Sequence, residues 1–234
     1  MSLQFIMGNS GSGKSYCLYD TVVREAIENP DKNYLVIVPE QFTMQTQKDL
    51  CLAHPKGGIM NIDVLSFGRL AHRVFEEVGQ DARVVLDDEG KNLVLRKIAG
   101  ECEKDLKVFK GNLKKQGYIS EVKSVLSEFA QYGVDFERLD DFMKEVPPES
   151  YLHYKLDDIR TIYEKFEEYL SEKYITKEEM LDVLSDAVPY SDILKGSVVA
   201  MDGFTGFTPV QNRLIGELFS VCEKVMITVT MDGR

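Results

Sequence analysis

Eight residues near the N-terminus constrain this chain more than any other feature. Gly8-Asn9-Ser10-Gly11-Ser12-Gly13-Lys14-Ser15 satisfy G-x-x-x-x-G-K-[ST] in full. An apolar run, Leu3 to Met7, precedes them and reads as a strand. Tyr16 to Val23 follows and continues as a helix. Strand, glycine-rich loop and helix in that order is the context that separates a phosphate-binding loop from a chance match. The residue types have a physical reason. Glycines let the backbone bend until several N–H groups point inward at a phosphate chain. The helix N-terminus adds the positive end of its dipole. Lys14 would reach the β- and γ-phosphates, and the Ser15 hydroxyl would ligate Mg²⁺. The plainer reading is a Gly/Ser-rich turn with a solvated lysine.

Such a loop implies α/β architecture, and the first eighty or so residues follow that grammar. Asn33 to Val38 is a continuous apolar run that fits a buried parallel strand, stopped by Pro39. Met44 to Leu52 is helical, Gly57-Gly58 marks a turn, Ile62 to Leu65 is a third strand, and Ser66 to Val78 is an amphipathic helix. The pattern changes near Asp87. From there to about Asp186 the chain reads as helical, with no convincing strand. Ile119, Val122, Val125, Leu126 and Phe129 share one helical face, and Leu156, Ile159, Ile162, Tyr163, Phe166 and Leu170 share another. The stripes fit either partner-binding faces or bundle core, and helical spacing favours bundle core. Thr176-Lys177-Glu178-Glu179 is a capping box that opens a further helix, and Pro147-Pro148 separates two helical blocks. Strand–helix alternation returns with Ser197 to Met201, Pro209 to Cys222, and Lys224 to Thr230. The expected fold class is therefore α/β: a P-loop NTPase (RecA-like) parallel sheet with helices on both faces, interrupted by an all-helical insertion. The sheet domain takes residues 1–86 and 187–234, and the insertion takes 87–186. The chain stops at Arg234, straight after a strand, which reads as a cut from a larger protein.

Composition narrows the function classes. With 44% hydrophobic and 29% charged residues, the chain has the make-up of an ordinary soluble protein. A net charge of −11 argues against a surface coated for nucleic acid, though not against a local basic groove. No apolar run approaches a bilayer span, and the N-terminus lacks a signal peptide's basic start and cleavage site. Cys17, Cys51, Cys102 and Cys222 are far apart and form no C-x-x-C pair. They read as reduced thiols of a cytoplasmic protein rather than metal ligands. His54, His72 and His153 are scattered and read as surface or packing residues.

P-loop enzymes carry an acidic residue at the end of a second apolar strand, where it holds Mg²⁺ through water. Asp202, after Val198-Val199-Ala200-Met201, fits that place; the plainer reading is a turn aspartate. ATP-driven motors also need a neighbouring carboxylate to activate the attacking water. Here that position is Gly203, which has no side chain. Either the base comes from elsewhere in the protein or hydrolysis is weak; the residues predict ATP binding with weak hydrolysis or none, and no residue is assigned as catalytic.

Four stretches together resemble the N-terminal part of the AddB family, the B subunits of bacterial AddAB helicase–nucleases. They are Phe5 to Ser15, Val36 to Thr43, Val64 to Ala71, and Met201 to Gln211. Their order is similar to a superfamily 1 helicase motor domain (1A type) with a helical 1B-type insertion. The loop motif alone is unspecific; the Pro39-Glu40-Gln41-Phe42-Thr43 and Asp202-to-Pro209 segments make the combination far more so. The resemblance implies a part in processing DNA double-strand-break ends for recombinational repair, beside a motor subunit, AddA. In the family a nuclease centre and an iron–sulfur cluster lie in a C-terminal region outside this sequence. It also implies that the loops after the second and third strands face single-stranded DNA. Gln41, Thr43, Ser66 and Arg69 become contact candidates, with Phe42 and Phe67 as candidates for stacking on bases. Buried positions under the sheet are the equal alternative for both phenylalanines. Two other function classes stay open on the residues: a free-standing P-loop kinase or NTPase whose insertion is a substrate lid, and a scaffold with a vestigial loop.

Overall fold

Buried parallel strands need apolar side chains on both faces, and the runs that satisfy this demand build the sheet. The computed structural model describes residues 2–79, 83–112, 115–171 and 173–231. The first segment runs β1 (Ser2–Gly8), α1 (Lys14–Glu28), β2 (Tyr34–Ile37), α2 (Thr43–Ala53), β3 (Ile62–Leu65) and α3 (Phe67–Val78). Then come β4 (Val84–Leu86), α4 (Asp88–Cys102), α5 (Gln116–Tyr132), α6 (Phe136–Glu145), α7 (Tyr151–Leu170), β5 (Tyr174–Thr176) and α8 (Lys177–Ala187). The chain closes with β6 (Val198–Met201), α9 (Pro209–Val221) and β7 (Lys224–Thr230). Two compact units result: unit 1 holds residues 1–81 and 181–234, and unit 2 holds 82–180.

The sheet of unit 1 has the order β1-β7-β6-β2-β3, and every described pairing in it is parallel. Parallel strands put all their C-terminal ends on one edge. The register sets Gly8 opposite Thr230 and Ile37 between Met201 and Leu65. From β2 the chain moves outward to β3, and from β6 it moves the other way to β7. The order therefore reverses between β2 and β6, where such sheets open a crevice beyond the strand ends. Tyr34, Val36, Val198, Ala200 and Met226 pack with Leu18, Val22 and Ala26 of α1 and Leu50 of α2. Their alternates, Leu35, Ile37, Val199, Met201, Val225 and Ile227, are equally buried and point to the opposite face. There α9 packs on β7 through a buried stripe that includes Leu214 and Leu218. At the β1 edge, Leu3, Phe5 and Met7 alternate along the strand and stay exposed.

Unit 2 is helical around one apolar core. Ile119, Val122 and Leu126 of α5 are buried there with Leu156, Ile159 and Phe166 of α7, as the helical stripes predict. Asp158 is 1% exposed and anchors the α4–α5 loop: its carboxylate accepts the backbone N–H groups of Lys107, Val108 and Phe109 at 2.7–2.8 Å. The predicted capping box forms. Glu179 accepts from the Thr176 N–H at 2.7 Å, and the Thr176 hydroxyl accepts from the Glu179 N–H at 3.2 Å. One element departs from the expected all-helical insertion: β4 and β5 pair in parallel as a two-stranded ladder. At three residues each, these strands are too short to show a period. Residues 84–86, read with the sheet domain, belong to unit 2.

Candidate functional site

The Gly8–Ser15 loop leaves the end of β1 and enters α1 without a side-chain cap. Gly13 occupies the N-cap position with φ of 85°, and Gly11 has φ of 75°. Both values lie in the left-handed region that favours glycine. The first-turn N–H groups of a helix have no intrahelical partner, and here neither a capping side chain nor a first-turn acid takes them up. The loop is tied internally by the Ser12 N–H to the Asn9 carbonyl at 3.2 Å and by Lys14 Nζ to the same oxygen at 2.7 Å. Gly8 is tight for another reason: a Cβ there would lie 2.4 Å from Ser12 Oγ. Exposed backbone donors, a helix N-terminus and one ammonium group make this a locally positive cradle on an acidic chain.

Asp202 follows β6 at the same sheet edge and is 6% exposed. Two hydroxyls hold it. Thr228 Oγ1 on β7 donates to Oδ1 at 2.6 Å, and the Tyr19 phenol on α1 donates to Oδ2 at 2.7 Å. Burial, then the neighbouring Asp202, keep the Tyr19 phenol well above its ordinary range, so it remains a donor. Tyr19 lies four residues after Ser15, on the same face of α1. The helix that begins in the loop therefore turns its Ser15 face toward Asp202. Tyr19 and Thr228 carry no local motif and are invisible to sequence reading; only the fold brings them to this carboxylate.

Gly203 has φ of +77°. A Cβ there would sit 3.5 Å from both Phe42 Cδ2 and Pro39 Cδ. A carboxylate at this position is absent from the sequence and is also disfavoured by the backbone.

The strand-end loops divide the nucleic-acid candidates. Gln41, Phe42 and Arg69 are exposed, and Arg69 lies 3.4 Å from Glu40 in a solvent-screened pair. Thr43 is 5% exposed, and its hydroxyl donates to the Glu40 carbonyl at 2.9 Å. Ser66 is 6% exposed and caps α3 by accepting the Arg69 N–H at 3.3 Å. Phe67 is 7% exposed and packs against Phe204, with ring centroids 5.3 Å apart; Phe207 lies 5.1 Å from Phe204. The two stacking candidates thus separate, Phe42 outside and Phe67 inside. A cavity of about 420 Å³ lies in unit 2, lined by Phe109, Val122, Val125, Lys155 and Ile159, and none of the predicted site residues borders it.

Mg²⁺ fits this donor set chemically. A hydroxyl and a carboxylate are hard oxygen ligands, and a carboxylate with two hydroxyl donors keeps lone pairs for a metal-bound water. Elsewhere, Cys17 is exposed and Cys51 half-buried, while Cys102 and Cys222 are buried; all four are free thiols. Among the described residues, no helix is long and apolar enough to cross a membrane.

A family model described as ADDB, N-terminal, matches residues 5–234. A protein of Lachnoclostridium phytofermentans, named as the B subunit of an ATP-dependent helicase/deoxyribonuclease, is 48% identical over 99% of this chain and 20% of its own length. Proteins of the same name from Clostridium kluyveri and Clostridium tetani are 39% and 37% identical over 100% of this chain and 20% of theirs. The chain spans about a fifth of the length of the curated relatives it matches. With a matching model over nearly its whole length, the chain belongs to the ADDB N-terminal family.

Proposed function

We propose that this chain is the ATP-binding, helicase-like region of one subunit of a bacterial helicase–nuclease complex. That complex unwinds and resects DNA ends, with AddA as the partner. Unit 1 would be the motor-type domain and unit 2 its inserted domain. The loop amides and Lys14 would hold the phosphates, with Ser15 and Asp202 holding Mg²⁺ between them. When bound, the ion draws charge from the phosphate oxygens. The observation that carries the reading is the link from α1 to the strand-end carboxylate: Tyr19 donates to Asp202 one helical turn after Ser15. The exposed Gln41, Phe42 and Arg69 would meet single-stranded DNA on the same sheet edge. Gly203 leaves the attacking water without a neighbouring base, so the site binds ATP and turns it over weakly.

Calorimetric titration of the chain with Mg·ATP tests this. Losing a charge-assisted contact of about 1.5–3 kcal/mol predicts that Lys14→Ala binds roughly 10- to 150-fold more weakly. Absence of Mg·ATP binding by the wild type, alone and in the assembled complex, would sink the proposal.

A further inference from the structure

We infer that Tyr19 is a positioning residue for the cation at this site: with Thr228 it fixes the Asp202 carboxylate, and Thr46 backs it by donating to the phenol oxygen. The inference rests on the nucleotide reading above and goes further by assigning a role to three hydroxyls outside the loop motif. A carboxylate as buried as Asp202 costs free energy unless hydrogen bonds replace its water. The replacement could come from a cation or from neutral donors, with different consequences. An arginine or lysine would satisfy the carboxylate and cancel its charge. Tyr19 and Thr228 satisfy one oxygen each, at 2.7 and 2.6 Å, and leave the negative charge in place. Of about four lone-pair positions on the carboxylate, two remain for a metal-bound water. The hydroxyls thus lock the carboxylate rotamer while preserving its attraction for a divalent ion.

The phenol has one proton to give. Thr46, 4% exposed on α2, lies 3.2 Å from the phenol oxygen. With the Tyr19 proton committed to the nearer and charged Asp202, Thr46 must act as donor to Tyr19. The chain of donors therefore runs from Thr46 to Tyr19 to Asp202. Partners that orient a metal ligand from outside the coordination sphere are commonly worth about 10- to 100-fold in metal affinity.

The test is ADP affinity of the chain with and without Mn²⁺, by calorimetry. The wild type should bind ADP more tightly with Mn²⁺ present. Tyr19→Phe keeps the ring packing; it should bind metal-free ADP within about twofold of wild type and lose roughly tenfold of the Mn²⁺ enhancement. Thr46→Val should lose about two- to threefold, as an indirect partner. Thr228→Ser should retain the enhancement and Thr228→Val should reduce it, and this pair decides the matter if Tyr19→Phe does not fold. A full Mn²⁺ enhancement in Tyr19→Phe, or in Thr228→Val, overturns the positioning role. Equal loss of metal-free and Mn²⁺-supported binding assigns Tyr19 to loop structure and overturns it too. A wild type that binds no ADP in either condition fails the nucleotide reading itself, a result distinct from the others.

Discussion

Gly203 offers a direct way to separate a missing side chain from an unsuitable backbone. Its φ of +77° would cost an L-residue about 1–2 kcal/mol. Replacing glycine by alanine returns about 0.4–1 kcal/mol by restricting the unfolded chain. The added Cβ meets Phe42 and Pro39 at 3.5 Å, an ordinary contact, so no clash enlarges the sum. Gly203→Ala should therefore be destabilised by roughly 1 kcal/mol net. Gly206 is the internal control: its φ is not positive and a Cβ there meets nothing within 4 Å. Gly206→Ala should be neutral or stabilised by up to about 1 kcal/mol. A gap of roughly 1–2 kcal/mol corresponds to about 2–8 °C in melting temperature for a chain of this size, measurable by thermal ellipticity. Gly203→Ala melting at or above Gly206→Ala would refute the backbone argument. Gly203→Glu extends the test to chemistry. A well-placed general base is worth about 10²- to 10⁴-fold, and we expect Gly203→Glu to gain far less. A gain of about a hundredfold in ATP turnover would show that the side chain alone was lacking.

Other consequences are equally open to measurement. Asp158→Ala strands three backbone N–H groups and should destabilise unit 2 by roughly 3–5 kcal/mol in urea titration, with Asp158→Asn milder because one oxygen still accepts. Burial, reinforced by Glu179, raises Glu167 to about 7. Above its unfolded value the folded chain holds a proton that the unfolded chain has released, so this group lowers stability as pH rises from about 4.5 to 7. The loss should be roughly 1–3 kcal/mol and should vanish in Glu167→Gln. Gly8→Ala places a Cβ 2.4 Å from Ser12 Oγ and should weaken Mg·ATP binding by about tenfold; Gly8→Ala/Ser12→Ala should recover part of it.

The frame of unit 1 was readable because fully buried parallel strands are continuous apolar runs, and Tyr34–Ile37 and Val198–Met201 are such runs. The helices of unit 2 were readable from their period, and the Thr176 box from its spacing. The β4–β5 ladder was not, since Val84–Leu86 and Tyr174–Thr176 pair across the whole unit and carry no period of their own. The loop residues announce themselves by motif and Asp202 by its place after a strand. The hydroxyls around Asp202 do not. Tyr19 reads as an ordinary helix residue, and its partner lies 183 residues away. The fates of Phe42 and Phe67 were equally hidden, because Phe204, on a distant segment, helps bury one and leaves the other exposed.

The pairing of β1 with β7 also sets an order of assembly. Ser2 lies opposite Lys224, so β1 pairs with a strand made more than two hundred residues later. At synthesis rates of about 5–20 residues per second, β1 waits roughly ten to forty-five seconds for that neighbour. Unit 2 is complete in sequence well before then and can close as a unit of its own. In the interval, Leu3, Phe5 and Met7 and the apolar runs of β2 and β3 are open to wrong pairings. The yield of folded protein should therefore depend on translation speed and chaperone supply more than its final stability implies. The Gly8–Ser15 loop is translated with β1, and the strand that flanks β1 in the sheet, β7, is made only at Lys224–Thr230.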